Sequence, residues 1–237
     1  MRDMITRTTS VELKNNQFPT PLEITVNDRA ATREALFEQL RAKGVSVVER
    51  SAWQAKPAKS GMEQDWDYTM IAIHHAGRSY ACSEGASQIT AIQSSHHGKG
   101  FDDIAYHFGI DCTGILYEGR DIRFKGSHVR AYNTGVIGIV LMEDLTTPEE
   151  GSDLVANARQ LMEHLGFNTQ NAISDPQKNS LLALITALVD LFSIIILGAH
   201  REFPHQLGDG KICPGNYGLE QVKQLRTQLG LAPPQEQ

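Results

Sequence analysis

The sequence predicts an α/β domain in which a central mixed β-sheet is flanked by helices. Short runs of apolar and often β-branched residues at positions 70–73, 137–142 and 194–197 have the length and composition of buried strands. Longer stretches with helical spacing of apolar side chains lie between them. A hydrophobic content of 41% and a charged content of 21% in 237 residues are typical of a globular chain with a sizeable core. Alternating strands and helices are typical of α/β layers.

The first part of the chain is predicted to contain one helix and one short strand. Asn27-Asp28 can cap a helix that reaches Lys43, and Gly44 would end it. A strand over residues 45–48 follows. We therefore interpret residues 1–49 as an N-terminal extension with one helix and residues 50–237 as the main domain.

The main domain is predicted to open at Arg50-Ser51-Ala52-Trp53, and a central strand over residues 70–73 has His74-His75 at its C-terminal end. A helix over residues 83–97 follows, and then a β-hairpin whose strands flank Cys112-Thr113-Gly114. The remaining predicted elements are strands over residues 137–142 and 194–197 and helices over residues 147–165, 176–192 and 218–229.

The apolar stretch from residue 180 to residue 198 approaches the length of a membrane span. Asp190 interrupts it, and β-branched residues replace good helix formers after Ser193. Asp175 can cap a helix here, with Pro176 at the first helical position. This pattern favours a buried helix followed by a buried strand, so we expect no membrane span.

Charge and cysteine content suggest where the protein is made and what it avoids. The net charge of −6 argues against nucleic acid and anionic membrane surfaces as partners. Residues 1–10 have no apolar core of a secretory signal, so synthesis in the cytoplasm without a signal peptide is expected. Three cysteines, Cys82, Cys112 and Cys213, do not make a disulfide framework, which fits a reducing compartment.

Three side chains could supply a metal site. His74 ends one predicted strand, His200 ends another, and Cys213 follows shortly afterwards. Two imidazoles, one thiolate and an open fourth position make a catalytic zinc site. On spacing alone the alternative remains open, because nine histidines offer many such triples. In that alternative the histidines are strand-end residues and Cys213 is a small buried apolar side chain.

The chain resembles the N-acetylmuramoyl-L-alanine amidase family, which includes peptidoglycan recognition proteins and amidase-type phage lysozymes. The order and spacing of the matching segments extend over about residues 51–230. These segments are Ile73-His74-His75-Ala76, residues 103–111, Tyr117-Glu118-Gly119-Arg120, residues 126–139 and the closing His200-Arg201-Glu202 with Lys211-Ile212-Cys213-Pro214-Gly215.

The resemblance implies a recognition-protein-like fold and zinc-dependent hydrolysis of the bond between N-acetylmuramic acid and L-alanine. His74, His200 and Cys213 match the ligands of one catalytic Zn²⁺. Tyr106 matches an active-site tyrosine near the activated water, and Lys211 matches a lysine beside the scissile carbonyl. Zinc would generate a hydroxide nucleophile near neutral pH. Which of Tyr106 and Lys211 protonates the leaving amine is open.

Further residues are assigned to the substrate or to the fold. His128 and Asn133 fall where family members line the glycopeptide groove, and His75 is assigned to substrate contact as well. His75 is not expected to bind zinc, because consecutive side chains of a strand point to opposite faces. His107 is interpreted as structural for the same reason. Glu118 and Arg120 are interpreted as a buried ion pair rather than as catalytic groups.

Several alternatives follow from departures from the family pattern. Asp121-Ile122 replaces the pairs that distinguish stem peptides in animal members, so lysine and diaminopimelate types both stay open. Residues 145–172 form a predicted insertion. One alternative function is recognition of peptidoglycan without cleavage, although Cys213 argues against it, and another is cytosolic recycling of muropeptides. We expect action on the cell wall or periplasm after non-classical delivery, with an immunity or delivery protein as a possible partner.

Overall fold

A computed structural model describes residues 7–11, 22–26, 28–77, 85–147, 150 and 173–235, with side chains from residue 29 onwards. The predicted helix over residues 147–165 and most of the predicted insertion fall outside these ranges. No helix in the described part of the chain is long and apolar enough to cross a membrane.

The centre of the molecule is a six-stranded mixed sheet with the order β3-β6-β5-β7-β4-β8. Neighbouring strands run parallel, except for the antiparallel pair of β5 and β6. The strands β1 (Arg7–Val11) and β2 (Leu22–Val26) form a separate antiparallel pair. The six strands are β3 (Val47–Val48), β4 (Met70–His75), β5 (Phe108–Ile110), β6 (Leu116–Glu118), β7 (Val136–Leu141) and β8 (Ile196–Ala199).

Helices cover both faces of the sheet, which confirms the predicted fold class. The described helices are α1 (Asp28–Ala42), α2 (Gly85–Gly98), α3 (Asp175–Leu191) and α4 (Gly215–Leu229). One core joins α1, α3 and α4 to the sheet face that carries Ile71 and Ile73. A second core joins α2 to Val140 and Met142. The side chains of β7 alternate between these cores, because Ile137, Ile139 and Leu141 belong to the first and Val140 to the second.

Residues 28–48 share a core with the rest of the chain. The α1 side chains Leu36, Phe37 and Leu40 are at most 1% exposed within the first core, and β3 pairs with β6. Arg33 of α1 donates from Nε and Nη2 to the Glu118 carboxylate, each at 2.6 Å. The helix α1 and the strand β3 therefore pack on the same core as the residues after position 50, and the domain boundary at residue 50 stays a prediction.

The expected pair of Glu118 and Arg120 does not form. Glu118 pairs with Arg33, 85 positions away in sequence, and Arg120 donates to the backbone oxygens of Ile104 and Lys125 at 2.8 Å each. The β6 strand ends at Glu118, so the two side chains no longer follow the alternation of one strand. Both groups are structural, as interpreted, but with other partners.

Two local details also differ from the expectations. The cap of α3 is Ser174 rather than Asp175: its extended backbone allows the hydroxyl to accept from the Gln177 N–H. Cys112 is disulfide-bonded, whereas Cys213 is free. The odd cysteine count did not predict this bond, and Cys82 lies outside the described residues.

The strand β8 lies at one edge of the sheet, next to β4. Its outer side is met by the chain segment that follows α4. The Leu197 N–H donates to the Ala232 oxygen at 3.0 Å, and the Ala232 N–H donates to the Ile195 oxygen at 2.9 Å. Pro234 packs so closely that a Cβ on Gly198 would lie 2.4 Å from the proline ring.

Candidate metal centre

The sheet brings His74 and His200 together. The strands β4 and β8 are parallel neighbours in which Ile73 is paired with Ala199. The carboxyl ends of parallel strands meet at one edge of a sheet, so the residues that follow this pair lie side by side. His200 begins a short 3₁₀-helix, His200–Glu202, immediately after β8.

The loop before α4 adds Cys213 to the two histidines. The Arg201 N–H donates to the Cys213 oxygen at 3.0 Å and holds this loop against the end of β8. One donor atom from each of His74, His200 and Cys213 lies within 4.8 Å of the other two. Cys213 Sγ is 3.6 Å from His74 Nδ1, and the two imidazole centroids are 4.5 Å apart. The three predicted ligands thus converge on one point.

The hydrogen bonds around this cluster fit a metal ion. His200 Nδ1 is buried and has no hydrogen-bond partner among the described residues. A buried polar atom without a partner costs free energy, unless a ligand takes that place. His74 uses its Nε2 in a 3.0 Å contact with His128 Nδ1, which leaves Nδ1 directed at the cysteine sulfur. Two imidazoles and a thiol are the donor set that zinc prefers.

The electrostatics of the cluster favour neutral imidazoles. Burial lowers the pKa of His200 to about 4 and holds the pKa of His74 well below its ordinary value. Burial also raises the pKa of the Cys213 thiol to about 12, although the His75 N–H donates to the sulfur and opposes this shift. A thiolate is therefore costly here unless a cation accompanies it, since a coordinated thiol is deprotonated.

His128 lies next to His74, on the side of its Nε2 atom. Its side chain is buried, with Nε2 3.3 Å from the Val136 oxygen and Nδ1 facing His74. Two glycines make room for the ring: a Cβ on Gly126 or on Gly138 would lie 2.4 Å or 2.5 Å from it. These positions require glycine because the imidazole occupies the space of a side chain.

Asn133 braces the loop that carries His128. Its Oδ1 accepts from the backbone N–H groups of His128 and Val129 at 2.7 Å and 2.8 Å. Both Asn133 and His128 also form part of the wall of a cavity of about 690 Å³. His200 belongs to the same wall, so the cavity opens beside the metal centre. The cavity is lined by Phe101, Ser127, His128, Arg130, Ala131, Asn133, His200, Gln206, Asp209 and Lys211.

The two predicted catalytic side chains both lie near the cluster. The Tyr106 ring is 4.8 Å from the His74 ring, measured between centroids. Lys211 is exposed, two residues before Cys213, and lines the cavity. The structure therefore places a phenol and an ammonium group around the three ligands.

His75 is not brought to this cavity. It lies on the opposite face of β4, where its Nδ1 accepts from the Leu145 N–H at 3.1 Å and lies 3.7 Å from Asp144 Oδ1. Burial lowers the pKa of His75 to about 4. The alternation of the strand separates it from His74, and its assignment to substrate contact stays a prediction.

His107 has the structural role that was expected. Its Nδ1 accepts from the Gly138 N–H and its Nε2 donates to the Phe124 oxygen, both at 2.9 Å. One residue near the ligands was missed: Gln206, whose Oε1 lies 3.2 Å from His200 Nε2. Gln206 stands in a loop with no periodic pattern and no motif, so the sequence contains no signal for it.

The fold of this chain is shared with solved structures of known proteins. Peptidoglycan recognition protein LB of Drosophila superposes with a TM-score of 0.59 at 22% identity, over 79% of this chain and 96% of that chain. The amidase endolysin LysCS of Clostridium intestinale superposes with a TM-score of 0.56 at 21% identity, over 79% and 97%. The fold is therefore that of peptidoglycan recognition proteins and amidase endolysins.

The chain belongs to the N-acetylmuramoyl-L-alanine amidase family, whose model matches residues 64–216. Peptidoglycan-recognition protein SC2 of Drosophila simulans is 30% identical over 122 residues, which are 50% of this chain and 66% of that protein. Peptidoglycan recognition protein 3 of Mus musculus is 34% identical over 113 residues, 45% of this chain and 32% of that protein. The chain thus spans less than two thirds of the length of these relatives.

Proposed function

We propose that this protein is a zinc-dependent amidase that hydrolyses the bond between N-acetylmuramic acid and L-alanine in peptidoglycan. The convergence of His74, His200 and Cys213 carries the proposal. Membership of the amidase family supports the reaction, and the names of the relatives support peptidoglycan as the substrate class. Binding without cleavage would not need three soft and borderline donors around one point.

Zinc, when bound, would supply Lewis acidity and a nucleophile derived from water at neutral pH. The chain supplies the other parts of the reaction. Neutral His74 and His200 offer nitrogen lone pairs, because burial lowers the pKa of both. The Lys211 ammonium, at the wall of the cavity, would stabilise the oxyanion that develops on the scissile carbonyl. The Tyr106 hydroxyl would orient the attacking water or transfer a proton to the leaving amine.

The cavity beside the ligands is the proposed site for the glycopeptide. Its volume of about 690 Å³ is within the range of small-molecule sites. The fold is shared with peptidoglycan recognition protein LE, which was solved with monomeric diaminopimelic acid-type peptidoglycan. Arg130, Asp209 and Lys211 line the cavity, and Arg130 Nη1 pairs with Asp209 Oδ2 at 3.5 Å. The Lys211 ammonium therefore gives this wall a positive charge that suits a ligand with carboxylate groups.

The decisive experiment is to incubate the zinc-loaded protein with purified peptidoglycan and, separately, with small soluble muropeptides. Mass spectrometry of the products should reveal free stem peptides that begin with L-alanine. The Cys213→Ser variant is the control. Binding of peptidoglycan without release of peptide would establish the recognition alternative. Release from soluble fragments alone would establish the recycling alternative.

A further inference from the structure

The side-chain amide of Gln206 has only one possible orientation. Gln206 is 1% exposed, and its Nε2 lies 3.0 Å from the Arg130 oxygen and 3.1 Å from the Pro204 oxygen. Backbone oxygens accept hydrogen bonds and cannot donate them, so this end of the amide must be the NH₂ group. The other end, Oε1, therefore faces His200 Nε2 at 3.2 Å.

This orientation determines where the proton of His200 resides. An amide oxygen only accepts, so His200 Nε2 must carry the hydrogen that it donates to Gln206. A neutral imidazole has one ring proton, and the lone pair is then on Nδ1. Nδ1 is the atom of His200 that is buried without a hydrogen-bond partner among the described residues.

We infer that Gln206 is a positioning residue that selects the tautomer of His200 and so presents Nδ1 to the metal ion. The inference rests on the proposed metal centre and assigns Gln206 a role that no motif indicates. A partner on the other ring nitrogen fixes both the tautomer and the orientation of a ligating histidine. Gln206 does so from the loop after β8, and its amide hydrogens also tie that loop to the backbone oxygen of Arg130 in the cavity wall.

The Gln206 side chain has two roles: its oxygen accepts from His200, and its NH₂ group donates to the backbone oxygens of Arg130 and Pro204. Two variants can separate these roles. Gln206→Met has neither the acceptor nor the donors. Gln206→Glu keeps an acceptor for His200 and lacks the two N–H donors. The matched control is Gln177→Met in α3, because Gln177 is also fully buried and its Nε2 donates to the Ile110 oxygen at 2.9 Å.

The measurement is zinc affinity by competition with a chelator, together with the melting temperature of each metal-free variant. Gln206→Met should weaken zinc binding by about tenfold to a hundredfold, the usual loss for such a partner. Gln206→Glu should bind zinc more tightly than Gln206→Met while it melts at a lower temperature than wild type. Gln177→Met should melt at a lower temperature with unchanged zinc affinity. Equal zinc affinity of Gln206→Met and wild type would overturn the inference.

A spectroscopic measurement decides the question even if Gln206→Met does not fold. Long-range ¹H–¹⁵N correlation spectra of the metal-free wild-type protein report the tautomer of each histidine. His200 should carry its proton on Nε2, and a proton on Nδ1 would overturn the inference. Failure of the wild-type protein to bind zinc would instead refute the proposed function, while the tautomer of His200 would still be measured.

Discussion

The two histidines of the candidate metal centre are held in contrasting ways. His74 is the residue before the last in β4, which has β7 and β8 as neighbours, and it is 1% exposed. Its outer partner is His128, a ring fitted between glycines. His200 follows the edge strand β8, is partly exposed, and is oriented by Gln206 from a loop. The sheet and its packing therefore fix one ligand, whereas hydrogen bonds of a loop fix the other.

The largest effect on zinc binding is expected from replacement of Cys213, the third proposed ligand beside the two histidines. Cys213→Ser replaces a thiol by a hydroxyl, which is a poor zinc ligand. Zinc affinity should fall by more than the roughly hundredfold that loss of an outer partner can cost, and amidase activity should be lost. Elemental analysis after dialysis checks the first statement. Equal zinc content in the variant and wild type would remove Cys213 from the site.

The role of the cavity wall beside His200 is tested by Lys211→Ala. Removal of a group that stabilises the oxyanion costs about a hundredfold or more in kcat. Zinc content should not change, because Lys211 is not among the three converging donors. Steady-state kinetics on a muropeptide provides the measurement, with Tyr106→Phe as the companion on the His74 side. Wild-type rates in both variants would contradict the proposed mechanism.

The packing that fixes His74 is tested by Gly138→Ala. The added methyl group would lie 2.5 Å from the His128 ring, so this ring must shift, which disturbs its 3.0 Å contact with His74. We expect a loss of about 1–3 kcal/mol in stability from overpacking and roughly tenfold weaker zinc binding.

Gly109→Ala is the control for this substitution. The nearest atoms to its methyl group would be Ile89 Cδ1 and Met142 Sδ, each at 3.1 Å near the end of a flexible side chain. Chelator competition and thermal melting should show unchanged zinc affinity in Gly109→Ala. Weakened zinc binding in both variants would show that crowding of the sheet, rather than displacement of His128, is the cause.

The smallest expected effect is a pH dependence of the metal-free protein. Burial lowers the pKa of His75, His96, His107 and His200 to about 4 each. The unfolded chain binds protons on these groups below pH about 6.5, so stability falls as the pH falls from about 6.5 to 4.

Glu143 opposes this trend within part of the same range. Burial raises its pKa to about 7, so its contribution is lost as the pH rises from about 4.5 to 7. Burial also holds the pKa of His74 and His128 well below the ordinary value. Because these six histidines outnumber the one carboxyl group, the melting temperature should be lower at pH 5 than at pH 7. In His107→Gln, the difference in the free energy of unfolding between pH 7 and pH 5 should be smaller by about 1–3 kcal/mol. A melting temperature that does not change over this range would contradict these shifts.

The sequence predicts the part of the site that lies on the sheet better than the part that lies in loops. The apolar run over residues 70–73 predicts a buried strand that leads into His74, and strand alternation predicts that His75 faces away, as the structure describes. The contact of Gln206 depends on a loop path that no periodic pattern encodes. The predicted pair of Glu118 and Arg120 is wrong for a related reason, since the actual partner, Arg33, lies 85 positions away from Glu118 in sequence. Contacts between distant segments follow from packing, which local patterns do not contain.

The segment around Ala232 gives the edge strand β8 a neighbour, and this has a consequence for self-association. An uncovered edge strand offers free N–H and C=O groups to a strand of another molecule. Here Ala232 takes part of these groups, and Pro233 and Pro234 have no N–H of their own to offer. The residues after Gly230 therefore cover the edge of β8 and hinder its pairing with a strand of another molecule. A chain cut after Gly230 should form dimers or larger species that light scattering detects. A strictly monomeric product would show that this cover is not needed to prevent association.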